Sequence, residues 1–252
     1  MKKIIYFLLL VGLLTSCVSK KKVVYMQDID QVKSYDNSTL YEAKLQPDDL
    51  LSIIVSAENP ELTVPFNLPQ IQGNYEINNN QNGIKTYLID NYGYIEFPVI
   101  GKMKLGGLTR TEAKEKLVSA VAEYIKNPIV NLRILNFKVS VLGEVLKPNS
   151  FTLASERITL LEALSLAGDL TIYGKRNTIL IIREVEGKKT YNRVDITKSD
   201  FLNSPFYYLA QNDVVFVEPN KTRVNASAVG PNVTATISAI SVLVTLLVVL
   251  LR

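Results

Sequence analysis

The chain has 252 residues, with 28 basic and 24 acidic side chains, one cysteine and no histidine or tryptophan. A net charge of +4 is no nucleic-acid footprint, and the lack of histidine removes the usual general base and the commonest zinc ligand. A lone cysteine permits neither an internal disulfide nor a thiolate cluster, so no catalytic, metal-binding or cofactor-binding residues are expected.

The first stretch, Met1 to Cys17, reads MKKIIYFLLLVGLLTSC. Lys2 and Lys3 form a basic start, and Ile4 to Leu14 form an apolar run of secretion-signal length, short for a membrane span. Leu14-Thr15-Ser16-Cys17 then has the form of a bacterial lipobox: an aliphatic residue, two small residues and a cysteine. Small residues admit a signal peptidase, and the cysteine thiolate takes a diacylglycerol thioether. Residues 1–16 are therefore expected to be a lipoprotein signal peptide and Cys17 the lipidation site. Position 18 is Val rather than Asp, which favours the outer membrane over retention in the inner one. Several acyl chains on one residue, at about 0.8 kcal/mol per buried CH₂, give a stable anchor. Residues 17–40 are expected to be a tether, with a solvated basic run at Lys20, Lys21 and Lys22.

A first domain is predicted over 41–136. Leu45-Gln46-Pro47-Asp48-Asp49 is a turn leading into the apolar strand Leu50 to Val55. Residues 59–83, rich in Asn, Gln and Pro, form a long loop. Tyr87 to Val99 is extended and broken at Asn91-Tyr92-Gly93. Thr109-Arg110-Thr111-Glu112 is a capping box, and Ala113, Leu117, Ala120, Val121 and Tyr124 make one apolar helix face, stopped by Asn127-Pro128. Ile129 to Ile134 alternates as a half-buried strand does.

A second unit is predicted over 137–219, a small α+β arrangement of strand, helix and hairpin. Val139 to Val145 is a strand reaching a glycine turn, and Lys147 to Ser150 turns the chain. Thr159-Leu160-Leu161-Glu162 is a second capping box, for a short helix buried by Leu160, Leu164 and Ala167 and closed by Gly168. Thr178 to Val185 and Lys189 to Ile196 flank a hairpin turn at Glu186-Gly187. Leu209-Ala210-Gln211-Asn212-Asp213-Val214-Val215 echoes the Leu45 to Leu51 stretch, a weak internal repeat. Both aspartates are expected to serve their own turns by accepting backbone N–H bonds, since no second ordered acid accompanies them.

After a linker at 220–233, residues 234–252 carry no charge before Arg252, no Gly and no Pro. A helix over 234–251 would be roughly 27 Å long, close to a hydrocarbon core of about 30 Å, so a membrane span is expected. Thr234, Ser238, Ser241 and Thr245 step by four, three and four along one helix face. That stripe suits the lumen of a ring of identical helices. It equally suits a plain single-helix anchor whose hydroxyls bond back to carbonyls of the preceding turn.

These residues together resemble the outer-membrane polysaccharide export family of Wza-like lipoproteins. The first domain is similar to the family's export domain in Leu45-x-Pro47-x-Asp49, in Gly93 through Gly101, in Gly107-Leu108-Thr109 with Glu112-Ala113, and in Asn127-Pro128 before Val130. The second unit is similar to the soluble-ligand-binding β-grasp (SLBB) module in Val141-x-Gly143-Glu144-Val145, Pro148, Thr159-Leu160-x-Glu162-Ala163 and Ala167-Gly168. It departs at Asn149 and Asp169, where the module usually has glycine, and Asn tolerates the left-handed conformation. The resemblance implies an α+β protein with an export domain, one SLBB domain and a C-terminal amphipathic membrane-spanning helix. It implies a homo-oligomeric ring in the outer membrane, its body in the periplasm, that passes capsular polysaccharide or exopolysaccharide delivered by an inner-membrane polysaccharide co-polymerase/tyrosine kinase. It implies conduction and no enzyme activity. The alternative is a lipid-anchored accessory protein that binds glycan or a periplasmic partner.

Overall fold

The structure is a computed structural model that describes residues 23–32, 41–68, 86–185, 187–228 and 231–250, without side chains at 228, 231–234, 247 and 248. It is α+β throughout its two units.

In the first unit β1 (Leu50–Ser56) is the middle strand of an antiparallel sheet, between β2 (Tyr87–Leu88) and β5 (Ile129–Ile134). The β5 register runs from Leu51↔Ile134 to Ser56↔Ile129, and β5 alternates exposed and buried residues without a break. That places Val130, Leu132 and Ile134 in the core beside Leu51, Ile53 and Val55. β3 (Tyr94–Phe97) and β4 (Gly101–Lys104) form a hairpin. On β5 packs α1 (Arg110–Ala122), whose N-terminus carries the full capping box: Thr109 Oγ1 accepts from Glu112 N–H at 3.2 Å, and Glu112 Oε2 accepts from Thr109 N–H at 2.7 Å.

The buried face of α1 is Ala113, Leu117 and Val121. Tyr124, expected on that face, is instead 58% exposed, because the helix ends at Ala122 and a tight turn carries Ile125 inward in its place. Tyr124 rests its ring on Phe66, 5.7 Å between centroids. Asn127 turns the chain with a left-handed φ of 52°.

The second unit is built on a five-stranded mixed sheet in the order β10-β9-β12-β6-β7. Its strands are β6 (Lys138–Gly143), β7 (Asn149–Thr152), β9 (Ile179–Val185), β10 (Lys188–Val194) and β12 (Val214–Val217). β12 lies parallel to β6 and antiparallel to β9. Gly143 makes that approach possible: with φ of 91°, a Cβ there would sit 2.1 Å from Val217 O. A short ladder pairs β8 (Ile158–Thr159) with β11 (Tyr208–Leu209). α2 (Leu160–Leu166) follows β8 with its own capping box. Gly168 N–H bonds to Ser165 O and Asp169 N–H to Leu164 O, closing α2 in a Schellman motif. Of the two departures from the module's glycines, Asp169 takes the left-handed conformation with φ of 69°, whereas Asn149 simply opens β7 opposite Val141.

The two units share one continuous apolar core. At the end of the first unit Asn136 ties the chain back to the start of β1. Asn136 Oδ1 accepts from Leu50 N–H and its amide donates to Asp48 O, both at 2.8 Å.

Residues 23–32, inside the stretch read as a tether, lie against the second unit. Met26 and Gln27 N–H bond to Ile196 O and Thr197 O, and Asp28 Oδ1 accepts from Ser199 N–H. Part of the stretch read as a linker is helical, as α3 (Lys221–Ala228). α4 (Pro231–Leu250) then begins three residues before the predicted start. Among the described residues no helix is long and apolar enough to cross a membrane, so the expected transmembrane helix at 234–252 has no support from them.

Candidate functional site

The two turns that echo each other in sequence share one geometry. Asp49 Oδ2 accepts from Gln46 N–H, and Asp213 Oδ2 accepts from Ala210 N–H, each at 2.8 Å. Asp49 N–H bonds to Gln46 O and Asp213 N–H to Ala210 O, each at 3.2 Å. The residue before each aspartate is left-handed, with φ of 68° at Asp48 and 64° at Asn212. Both carboxylates are fully buried, each spent on its own turn as the sequence implied.

Their remaining environments differ. Asp213 is gripped by Arg183 of β9, with Nε 2.9 Å from Oδ1 and Nη2 2.6 Å from Oδ2. Arg183 also donates to Tyr208 O at 3.0 Å and lies over the Phe206 ring. Burial lifts the Asp213 carboxyl above its ordinary range, with Arg183 pulling it back. Asp49 has no such cation. Gln211, beside it, spends its own amide on the backbone, accepting from Lys138 N–H at 2.7 Å and donating to Asn136 O at 2.9 Å. Asp49 Oδ1 has no hydrogen-bond partner among the described residues, and burial, only partly offset by the Gln46 N–H and the nearby Gln211 amide, pushes its pKa up to about 6.

Two clefts flank Tyr41 at the junction of the units. One, of about 620 Å³, lies between Glu42, Thr111 and the Leu202–Tyr208 segment. The other, of about 690 Å³, lies between Arg110, the end of β5 at Arg133 to Leu135, and the 153–157 loop of the second unit. Tyr41 stacks on Tyr208 at 4.9 Å, and its hydroxyl reaches Leu209 O at 3.4 Å. Glu156 crosses the floor of the second cleft, pairing with Arg110 at 3.3 Å and accepting from Ile134 N–H at 3.2 Å.

A third feature is the root of the C-terminal helices. Asn220 caps α3, its Oδ1 accepting from Arg223 N–H at 3.0 Å and its own N–H bonding to Tyr173 O at 2.7 Å. Arg223 reaches Glu144 at 3.4 Å and lies over Tyr173. Pro219 pairs with Gly174, whose carbonyl accepts from Arg176 at 3.0 Å. Arg176 in turn lies under the Tyr25 ring, and the Tyr25 hydroxyl donates to Asp169. Burial, and then Asp169, raise the Tyr25 pKa. The docked N-terminal segment and the root of α3 thus meet through one arginine.

Of the residues singled out by sequence, Cys17 and the Thr234 side chain lie outside the described residues. Ser238, Ser241 and Thr245 are exposed on α4, one and two turns apart on a shared face. Ser241 Oγ donates to Ile237 O at 2.9 Å and Thr245 Oγ1 to Ser241 O at 2.8 Å. Around them Ile240, Val242, Leu243 and Val244 are each more than half exposed. Sequence reasoning missed Arg183, Gln211, Tyr41 and Tyr25. Only Arg183 left a signal, as a charge closing the apolar run Ile179 to Ile182.

Residues 37–135 match the family described as polysaccharide biosynthesis/export protein. Over 200 residues, 77% of its length, the chain is 29% identical to the EPS I polysaccharide export outer membrane protein EpsA of Ralstonia solanacearum, of which it covers 51%. Over 141 residues, 54% of its length, it is 31% identical to the protein of the same name from Ralstonia nicotianae, of which it covers 37%. The chain thus spans about half the length of the relatives it matches, or less. Residues 37–135 are thus similar to the polysaccharide biosynthesis/export family.

Proposed function

We propose that this chain is a lipid-anchored outer-membrane component of exopolysaccharide export, a transport protein and not an enzyme, whose copies close into a ring around the moving polymer. The observation that carries this reading is the export-family match over 37–135, together with relatives named as polysaccharide export outer membrane proteins. In this reading Cys17 bears the lipid, residues 41–136 and the SLBB unit at 137–219 form a periplasmic body, and residues 234–252 span the outer membrane. An inner-membrane polysaccharide co-polymerase/tyrosine kinase hands over the polysaccharide. The docking of Tyr25 next to the root of α3 supports a shared membrane. The eight residues from Cys17 to Tyr25 reach at most about 28 Å, so the lipid and α4 can enter one bilayer.

A lumen for polysaccharide has to be wet and weakly binding, and a hydroxyl stripe offers hydrogen bonds without fixed charge. The second reading, a plain anchor on an accessory protein, draws support from the Ser241 and Thr245 back-bonds, which let a hydroxyl sit in lipid.

Two measurements separate these readings. Electron microscopy of detergent-extracted protein should show closed rings; a monomer supports the accessory protein. In a cysteine scan of α4, hydrophilic thiol reagents should label positions 238, 241 and 245 and spare 240 and 243, the acylated Cys17 being blind to them. Labelling with no angular preference leaves only the anchor. Separately, Cys17→Ser should abolish incorporation of radioactive palmitate, since serine offers no thioether; label retained on the variant would place the lipid elsewhere.

A further inference from the structure

We propose that the cleft between β5 and the 153–157 loop binds an acidic saccharide, a carboxylate-bearing stretch of polymer held by Arg133 and Arg157 against the wall formed by Tyr41. Three guanidinium groups and two carboxylates line this cleft. Arg110 is taken by Glu156. Glu156 also holds Ile134 N–H, and Glu42 is bound to the hydroxyl and N–H of Thr111 at 2.7 and 3.2 Å. Among the described residues neither Arg133 nor Arg157 pairs with a carboxylate, and both are exposed. Arg157 is nonetheless held in place, 5.1 Å over the Tyr208 ring that stacks on Tyr41.

A guanidinium presents a planar fork of N–H groups that matches a carboxylate in two parallel bonds. Two such forks around one cleft suit a chain with carboxylates on successive or alternate sugars. Tyr41 and Leu153 offer an apolar wall to the C–H face of a pyranose, while Ser155 and the spare lone pairs of Glu42 and Glu156 take its hydroxyls. The volume, about 690 Å³, falls in the range of small-molecule sites. The choice of a saccharide over other carboxylates rests on the export reading.

Calorimetric titration of the full-length chain in detergent with hexagalacturonate, with maltohexaose as the neutral probe of equal length, tests this directly. Hexagalacturonate should bind, more weakly as salt is raised, and maltohexaose should bind at least about tenfold less tightly. Arg133→Gln and Arg157→Gln should each raise Kd about tenfold, the scale of one lost charge-assisted pair. Both residues are exposed and Arg157 gives up only its contact with the Tyr208 ring, so the melting temperature should move little, which separates lost binding from lost folding. Equal binding of the two oligosaccharides, or a double variant with wild-type Kd, overturns the proposal. So does equal competition by inorganic sulfate, which would leave a general anion site. If deleting the gene stops export but the purified chain ignores hexagalacturonate, the export reading stands and this site falls. If the chain binds through both arginines but deletion leaves export intact, the site stands and the export reading falls.

Discussion

Asp213→Asn is expected to lower the unfolding free energy of the full-length chain by about 3–5 kcal/mol at pH 7, the cost of breaking a buried ion pair from one side. The amide still accepts the Ala210 N–H, so the turn keeps its bond. Arg183, whose side chain is only 14% exposed, loses the partner charge and its Oδ1 acceptor, where an NH₂ now faces Nε, and keeps only neutral oxygens and an aromatic face. The damage lies in the stranded cation. Replacing both partners, Arg183→Met with Asp213→Asn, should therefore recover much of the loss. Denaturant midpoints of the parent and the two variants check this. A double variant as unstable as Asp213→Asn would place the cost in the turn.

Asp49→Asn, at the matching position of the other turn, should act in the opposite direction. Its carboxyl is raised from an ordinary 3.8 to about 6 because it is buried without a cation. A group whose folded pKa lies above its unfolded value binds its proton more tightly when folded. Its contribution to stability is complete below about pH 4 and is lost as pH rises through 6, an expected fall of about 2–3 kcal/mol between pH 4 and pH 8. The asparagine variant removes that slope, so it should be more stable than the parent at pH 8 by about 1–3 kcal/mol and lose its advantage near pH 4. Melting temperatures across this range decide the matter. An unchanged slope would mean that another group carries the titration.

This contrast also marks how far the sequence was legible. Both aspartate turns, both capping boxes and the alternation of β5 could be read directly, because each is made by residues within a few positions of one another. The pairing of Arg183 with Asp213 spans 30 residues, the Gln211 bond to Asn136 spans 75, and the docking of Tyr25 on Asp169 spans 144. No periodicity reports such contacts. The same limit explains Tyr124. Its spacing fits the α1 face, but the helix stops two residues earlier, and only the end of the helix decides which side chain turns inward. At the candidate site, sequence marked the α4 hydroxyls through their spacing. It gave no sign of the cleft at Tyr41, whose lining comes from four separated segments.

The position of β12 determines how the molecule bears mechanical load. This strand runs into α3 and α4, and it lies between β6 and β9, bonded along both edges. A pull along the C-terminal helix loads those ladders in shear, so their bonds resist together. Residues 23–32 hold on at the N-terminal side by two backbone bonds to Ile196 and Thr197, the Asp28 contact and the Tyr25 ring. Tension between the two ends of the chain would peel the N-terminal segment first and leave the sheet whole. The first unit is bypassed only while residues 23–32 stay docked on the second; once they peel, the load enters it at residue 41.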